Sequence, residues 1–188
     1  MPDAALLSIS QAVQCLQGGK VIAYPTEAVY GLGCDPRNES AVRQVLELKS
    51  RPASAGLILI ADRFERFQIY IGTLDPGQLK RALASWPGPV TWLFPRGPGV
   101  PDWLAGSHPS VALRVTAHPV GRALCEAFGG AVVSTSANPG GAEPARSAQQ
   151  VADYFADRLC GIVAGELGRS PRPSEIRDLA TGRVVREG

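Results

Sequence analysis

The chain has 188 residues, 45% of them hydrophobic and 19% charged, with 21 glycines, 16 prolines and a net charge of +2. That composition excludes a disordered polymer, and the small net charge offers no general attraction to nucleic acid. No run approaches the ~18 apolar residues of a membrane span and the first residues lack a basic, apolar leader, so the chain reads as soluble, cytoplasmic and free of membrane.

Helical and strand-like periods alternate along the chain. Residues 8–18 carry Ile9, Ala12, Val13 and Leu16 on one stripe, with Ser8 as cap and Gly18–Gly19 as stop. Residues 20–24 read as a buried strand that ends at Pro25, with Thr26 and Glu27 just beyond it. Asn38 caps a helix to about Lys49, its inward face formed by Ala41, Val42, Val45 and Leu46. "GLILIA" at 56–61 is apolar on both faces, as in a sheet covered on both sides. Asp75 and Pro76 open a helix over 76–85, followed by strands at 90–95 and 110–115. Residues 119–128 form a helix, and "AVVSTS" at 131–136 is a strand that turns polar at its end. Ser147 and Gln150 make a capping-box pattern for a helix to about Arg158, with short strands at 160–165 and 174–179 after it. The expected architecture is α/β: one domain over 1–188, with a continuous mixed sheet layered by helices.

Several chemistries are excluded by what the sequence lacks. "GLGCDP" has no third glycine for a dinucleotide fingerprint, and no Walker-type phosphate loop occurs. His108 and His118 each precede proline and read as turn residues, which argues against a triad hydrolase. Cys15, Cys34, Cys125 and Cys160 are scattered, without zinc-site spacing, and are expected to be free thiols. Sixteen of the nineteen cations are arginine; a GC-rich genome accounts for that, and phosphate recognition would also use it.

Four stretches carry candidate chemistry. Thr26 and Glu27 stand at a strand end, the usual place for ligand groups in α/β sheets. In "LKSRP", Lys49 and Arg51 follow a helix C-terminus, where cations suit the helix dipole. Arg51 precedes Pro52, so extended chain is expected there, which would aim both cations to one side, toward a polyphosphate. Arg114 sits inside the apolar "SVALRV" strand and must either turn to solvent or meet an anion. "VVSTSANPGG" ends a strand in Ser134, Ser136 and Asn138, small donors that suit phosphate or carboxylate oxygens, although a plain Ser or Asx turn would use them equally.

"YPTEAVYGLG", "LKSRP", "WPGPVTWLF", "VALRVTAHP", "STSANPGG" and "PSEIRDLATGRVVREG" occur in an order that resembles the YrdC/Sua5 family, across about residues 8–188. The "PSEIRDL" ending, and the absence of the longer branch's extra domain, resemble the short bacterial branch. The resemblance implies a YrdC-like twisted sheet around a large concave cationic cavity. It implies an L-threonylcarbamoyladenylate synthase, a nucleotidyltransferase that joins L-threonine, bicarbonate and ATP and releases pyrophosphate. The product serves threonylcarbamoyladenosine modification of tRNA beside the anticodon, through a tRNA threonylcarbamoyl-transfer complex. Such chemistry needs charge neutralisation and alignment, and no protein nucleophile.

By the family pattern, Lys49 and Arg51 would be catalytic and hold ATP phosphates, with Ser110, Ser136, Asn138 and Arg186 completing the ATP site. Arg114 would take the threonine carboxylate, aided by Thr26, Ser134 and Ser174, while Glu27 and Tyr30 would shape the wall. Gly31 and Gly33 would let the loop after the strand turn away. Mg2+ would accompany ATP, and no tightly bound protein metal is expected. Ala28, Ala55 and Ile60 depart from the family pattern, so no role is transferred to them. Two rival readings fit less well. An RNA-binding module, suggested by the family's links to RNA and consistent with weak RNA binding, would need more basic and aromatic surface. A dihydroxybutanone-phosphate synthase would need more acids than Glu27 and Asp35 supply.

Overall fold

The computed structural model describes residues 6–170 and 172–188. Each helix begins where the sequence supplies a cap or a proline. Ser8 caps α1 (Ile9–Gln17) in a reciprocal capping box with Gln11. Asn38 caps α2 (Glu39–Leu48) by accepting from the Ala41 N–H. Asp75 caps α3 (Pro76–Leu83), and a four-residue helix α4 spans Asp102–Ala105. Proline opens α5 (Pro119–Phe128), and Ser147 accepts from the Gln150 N–H at the start of α6 (Ala148–Phe155).

The strands are β1 (Leu6–Leu7), β2 (Ile22–Pro25), β3 (Tyr30–Gly33), β4 (Ile58–Ala61), β5 (Val90–Pro95), β6 (Ser110–Val115), β7 (Val132–Ser136), β8 (Gly161–Val163), β9 (Glu175–Asp178) and β10 (Val184–Arg186). They join in one sheet of order β1-β8-β2-β3-β7-β4-β6-β5-β9-β10. Pairing is mixed: β4/β6 and β5/β9 are parallel, while β2/β3, β3/β7, β4/β7 and β5/β6 are antiparallel.

The two faces of this sheet are covered unequally. On one face α2, α3, α4 and α6 bury Val45, Ala82, Leu104 and Phe155 against Leu59, Leu113 and Val133. Each fully buried large side chain there stabilises the fold by about 1.5–3 kcal/mol. On the other face α1 and α5 pack Leu16 and Leu124 over Ile22, Tyr24, Ile60 and Val132. Side chains alternate along a strand, so Ile58 and Ser134 share the face of Ile60 and Val132. On β6 the same alternation puts Val111, Leu113 and Val115 in the first core and leaves Ser110, Ala112 and Arg114 opposite. Helices α1 and α5 do not reach that region, and it becomes the floor of a cavity.

Three sequence expectations change here. Gly31 and Gly33 lie within β3 and do not release a loop. A Cβ on Gly33 would stand 2.7 Å from the Tyr24 ring and 2.9 Å from the Val133 carbonyl, and one on Gly31 would meet Thr26 at 3.2 Å. The glycines let β3 fit between that ring and β7. Lys49 and Arg51 are separated by a turn, not by extended chain. Ser50 takes φ +50°, and the Arg51 N–H returns to the Leu46 carbonyl, a helix stop that usually uses glycine. Finally, Cys15 and Cys160 form a disulfide between the last turn of α1 and the residue before β8, while Cys34 and Cys125 are free and buried. The bridge spans 145 positions, a pairing that no local spacing announces.

Candidate active site

A cavity of about 700 Å3 opens over the uncovered half-face. Thr26 and Glu27 line it from the β2–β3 turn, Arg51 from the turn after α2, and Ser110 and Arg114 from β6. Ser134 and Ser136 come from β7, Ser174 from the approach to β9, and Arg186 from β10. Its wall carries Arg51, Arg114, Arg172 and Arg186 against the two carboxylate side chains of Glu27 and Glu187. Eight of the ten residues named from the sequence therefore meet at one space. Lys49 and Asn138 stand behind its wall.

Arg114 does not turn to solvent. It is 6% exposed, and its Nη1 donates to Glu27 Oε1 at 2.5 Å. Thr116 Oγ1 donates to the same oxygen at 2.6 Å. Arg114 Nε is buried without a partner. Burial alone would push the Glu27 carboxyl upward; the Arg114 charge and the Thr116 hydrogen bond outweigh it and hold the group below its ordinary value. The cation is thus neutralised, yet most of its hydrogen-bonding capacity is unused.

Lys49 occupies a different niche from Arg51. Its Nζ donates to the Ser136 carbonyl at 2.6 Å and contacts the Asn138 carbonyl and Oδ1 at 3.1 and 3.0 Å. An ammonium has three protons, and these oxygens use them all. Asn138 is equally committed: Nδ2 donates to Ala142 O, and Oδ1 also accepts from Ser136 Oγ. Gly140 lies so close that a Cβ would meet Lys49 O at 3.0 Å. Burial, then the neighbouring Arg51 charge, lower the Lys49 ammonium to about 8.

Arg51 donates through Nη2 to Ala55 O and leaves Nε buried without a partner. Arg186 donates to Ser174 O. Desolvation lowers both guanidinium pKa values, and Arg51 adds repulsion at Arg186. Neither forms an ion pair among the described residues. Two like charges held together without a carboxylate make an anion receptor. Ser174 Oγ is 2.9 Å from Thr91 Oγ1, and Thr26 Oγ1 donates to Val29 O, which fixes its turn. Tyr30 OH donates to Gly165 O.

Ala28 and Ala55 line the cavity, whereas Ile60 lies in the α1/α5 core. Sequence reading missed Thr116, which follows Arg114 by two positions and continues its strand face. It also treated His118 as a turn residue. His118 precedes α5, is 5% exposed, and its Nε2 is 3.1 Å from Glu166 O.

A mixed α/β sheet with one half-covered face, whose cavity gathers arginines and small hydroxyls, defines a single-sheet α/β protein with an arginine-lined cavity. More particularly, the chain belongs to the Sua5/YciO/YrdC family, whose profile, described as "Telomere recombination", matches residues 14–188. It is 52% identical over 178 residues to a threonylcarbamoyl-AMP synthase of Cellvibrio japonicus, covering 95% of this chain and 94% of that protein. It is 46% identical to a protein of the same name from Coxiella burnetii, covering 95% and 96%. The crystal structure of P. abyssi Sua5 complexed with L-threonine superposes with a TM-score of 0.86 at 32% identity, covering 94% of this chain and 52% of that one. The chain thus spans about half of that longer protein. E. coli YciO superposes with a TM-score of 0.84 at 28% identity, covering 96% and 88%.

Proposed function

We infer that this chain is an L-threonylcarbamoyladenylate synthase, a nucleotidyltransferase acting on L-threonine, bicarbonate and ATP. Near-full-length identity to proteins of that name supports the reading. The observation that carries it at the site is the pairing of two anion receptors in one cavity. Arg51 and Arg186 form one, without carboxylate partners, and the buried Arg114 forms the other.

The chemistry follows from those positions. Threonine's ammonium group loses a proton, and the resulting amine condenses with bicarbonate to a carbamate, losing one water. A carbamate oxygen then bonds to the α-phosphorus of ATP, and the Pα–O bond to the β-phosphate breaks, releasing pyrophosphate. Arg51 and Arg186 offset charge on the phosphates, and Ser110 donates to the nucleotide beside Ser136, whose own hydroxyl proton is held by Asn138. Lys49 acts with Asn138 from behind the wall, bracing the Ser136 loop and adding positive potential. Arg114 takes the threonine carboxylate, with Thr26, Ser134 and Ser174 around the rest of the amino acid. Mg2+ arrives as part of the ATP substrate. The adenylate would pass to a tRNA threonylcarbamoyl-transfer complex, and weak RNA contact would belong to that hand-over. A cytoplasmic location fits this role.

The test is incubation with ATP, bicarbonate and labelled threonine, followed by chromatography. A labelled threonylcarbamoyl-adenylate formed in equal amount to pyrophosphate is expected. Pyrophosphate release independent of threonine, or no labelled adenylate, would overturn the reading.

A further inference from the structure

Arg114 is held by a relay that begins outside the cavity. The His118 backbone N–H donates to Thr116 Oγ1 at 3.1 Å. That bond occupies an acceptor site on the hydroxyl and leaves its proton for Glu27 Oε1, 2.6 Å away. The Glu27 backbone is fixed as well. A segment running from Gly165 to Ser170 crosses it, with Gly168 N donating to Thr26 O and Ser170 N donating to Glu27 O, both at 2.9 Å. The crossing is close: a Cβ on Gly168 would stand 2.7 Å from Glu27 Cα. His118 Nε2 meets the same segment at Glu166 O. Glu27 is therefore held at its main chain by the crossing segment and at its carboxylate by Thr116.

We propose that Glu27 and Thr116 are positioning residues of the amino-acid subsite, setting threonine affinity through Arg114 rather than by the chemistry itself. Glu27 holds one corner of the guanidinium, Nη1, and leaves the rest of the fork for the substrate carboxylate. A guanidinium anchored at one corner surrenders less rotational freedom when it binds an anion. Without Thr116, the Glu27 carboxylate loses one of its two side-chain partners and can swing across the fork, where it would compete with the substrate. The inference rests on the assignment of Arg114 to the threonine carboxylate.

The experiment compares wild type with Thr116→Val, Thr116→Ser and Glu27→Gln. Apparent KM values for threonine and for ATP are measured, together with direct threonine binding by calorimetry. Thr116→Val keeps the side-chain shape and removes only the hydroxyl. Loss of a charge-assisted hydrogen bond predicts a threonine KM raised by ~10-fold, with kcat and the ATP KM changed by less than ~2-fold. Thr116→Ser should restore most of the threonine affinity, and Glu27→Gln should resemble Thr116→Val. A wild-type threonine KM in Thr116→Val would overturn the proposal. So would equal losses for threonine and ATP, or a failure of Thr116→Ser to rescue, since either marks general structural damage. If the wild type binds threonine but makes no adenylate, the reaction assignment falls, and calorimetry alone decides the positioning role by the same criteria. Should Thr116→Val not fold, Glu27→Gln and Thr116→Ser decide it.

Discussion

Arg114 and Glu27, 87 positions apart in the chain, are joined by a 2.5 Å hydrogen bond at the floor of the cavity. The pair changes what deletion of the arginine should do. A free desolvated cation could be removed with no loss of stability, but Arg114→Ala leaves a largely buried carboxylate alone. Breaking one side of such a pair is destabilising, here by about 1–3 kcal/mol because Glu27 keeps some solvent contact. Threonine affinity should fall by at least ~10-fold and ATP affinity much less. Adding Glu27→Gln should recover the stability without recovering threonine binding. Denaturant melts and paired titrations on the single and double variants measure both effects, and unchanged threonine binding in Arg114→Ala would return that residue to a purely structural role.

The same pair sets an acid limit. Glu27 has a lower pKa in the folded chain than its ordinary 4.5. Its ionisation therefore stabilises the fold above that unfolded value, and the contribution is lost as pH falls below it through the folded value. Stability should drop more steeply below about pH 4.5 in wild type than in Glu27→Gln. Urea melts from pH 6 to pH 3 give the comparison, and parallel curves would assign the acid limb to other carboxylates.

Lys49 should govern the alkaline side with the opposite sign. Its folded value near 8 lies below the unfolded 10.5. Between those values the unfolded chain holds a proton that the folded chain does not, so stability should rise with pH across that window. ATP affinity should move the other way, because the ammonium loses its charge above about pH 8. Lys49→Met should flatten both slopes, whatever its effect on absolute stability. Calorimetry at pH 8.5 in two buffers of different ionisation heat should also register proton uptake as ATP binds; its absence would remove Lys49 from the nucleotide's influence.

The Cys15–Cys160 bridge closes a long loop, and cross-links of that kind restrict the unfolded chain. Reduction, or replacement of both cysteines by serine, should cost about 2–5 kcal/mol. For a chain of this size that is a melting-point decrease of roughly 2–4 °C for each kcal/mol. Thermal melts with and without reductant, alongside mass spectrometry of alkylated protein, measure it. Equal melting points with four alkylated cysteines before reduction would show that the bridge does not form.

Local signals were legible where one residue decides a local event. Ser8, Asn38, Asp75 and Pro119 mark helix starts because capping depends on near neighbours. Strand β3 was not legible, since "YGLG" has little strand preference of its own. It exists because β2 and β7 flank it and the Tyr24 ring needs glycine beside it. The candidate site divides in the same way. The motif order brought Thr26, Arg51, Arg114, Ser134 and Ser136 to one cavity. What it concealed was orientation. A left-handed Ser50 turns Lys49 into the wall while Arg51 faces the cavity, and Glu27 finds Arg114 only through the sheet.

The sheet's uneven covering has a consequence for how this chain can diverge. Along β6, Val111, Leu113 and Val115 answer to packing, while Ser110, Ala112 and Arg114 answer to whatever fills the cavity. Six adjacent positions therefore experience two selections that largely alternate. Saturation mutagenesis read for abundance and, separately, for turnover should show a two-residue beat in each, with Arg114 registering in both through its pairing with Glu27. A new substrate preference could then arise on the even-numbered positions of this strand while its odd-numbered positions keep the fold in place.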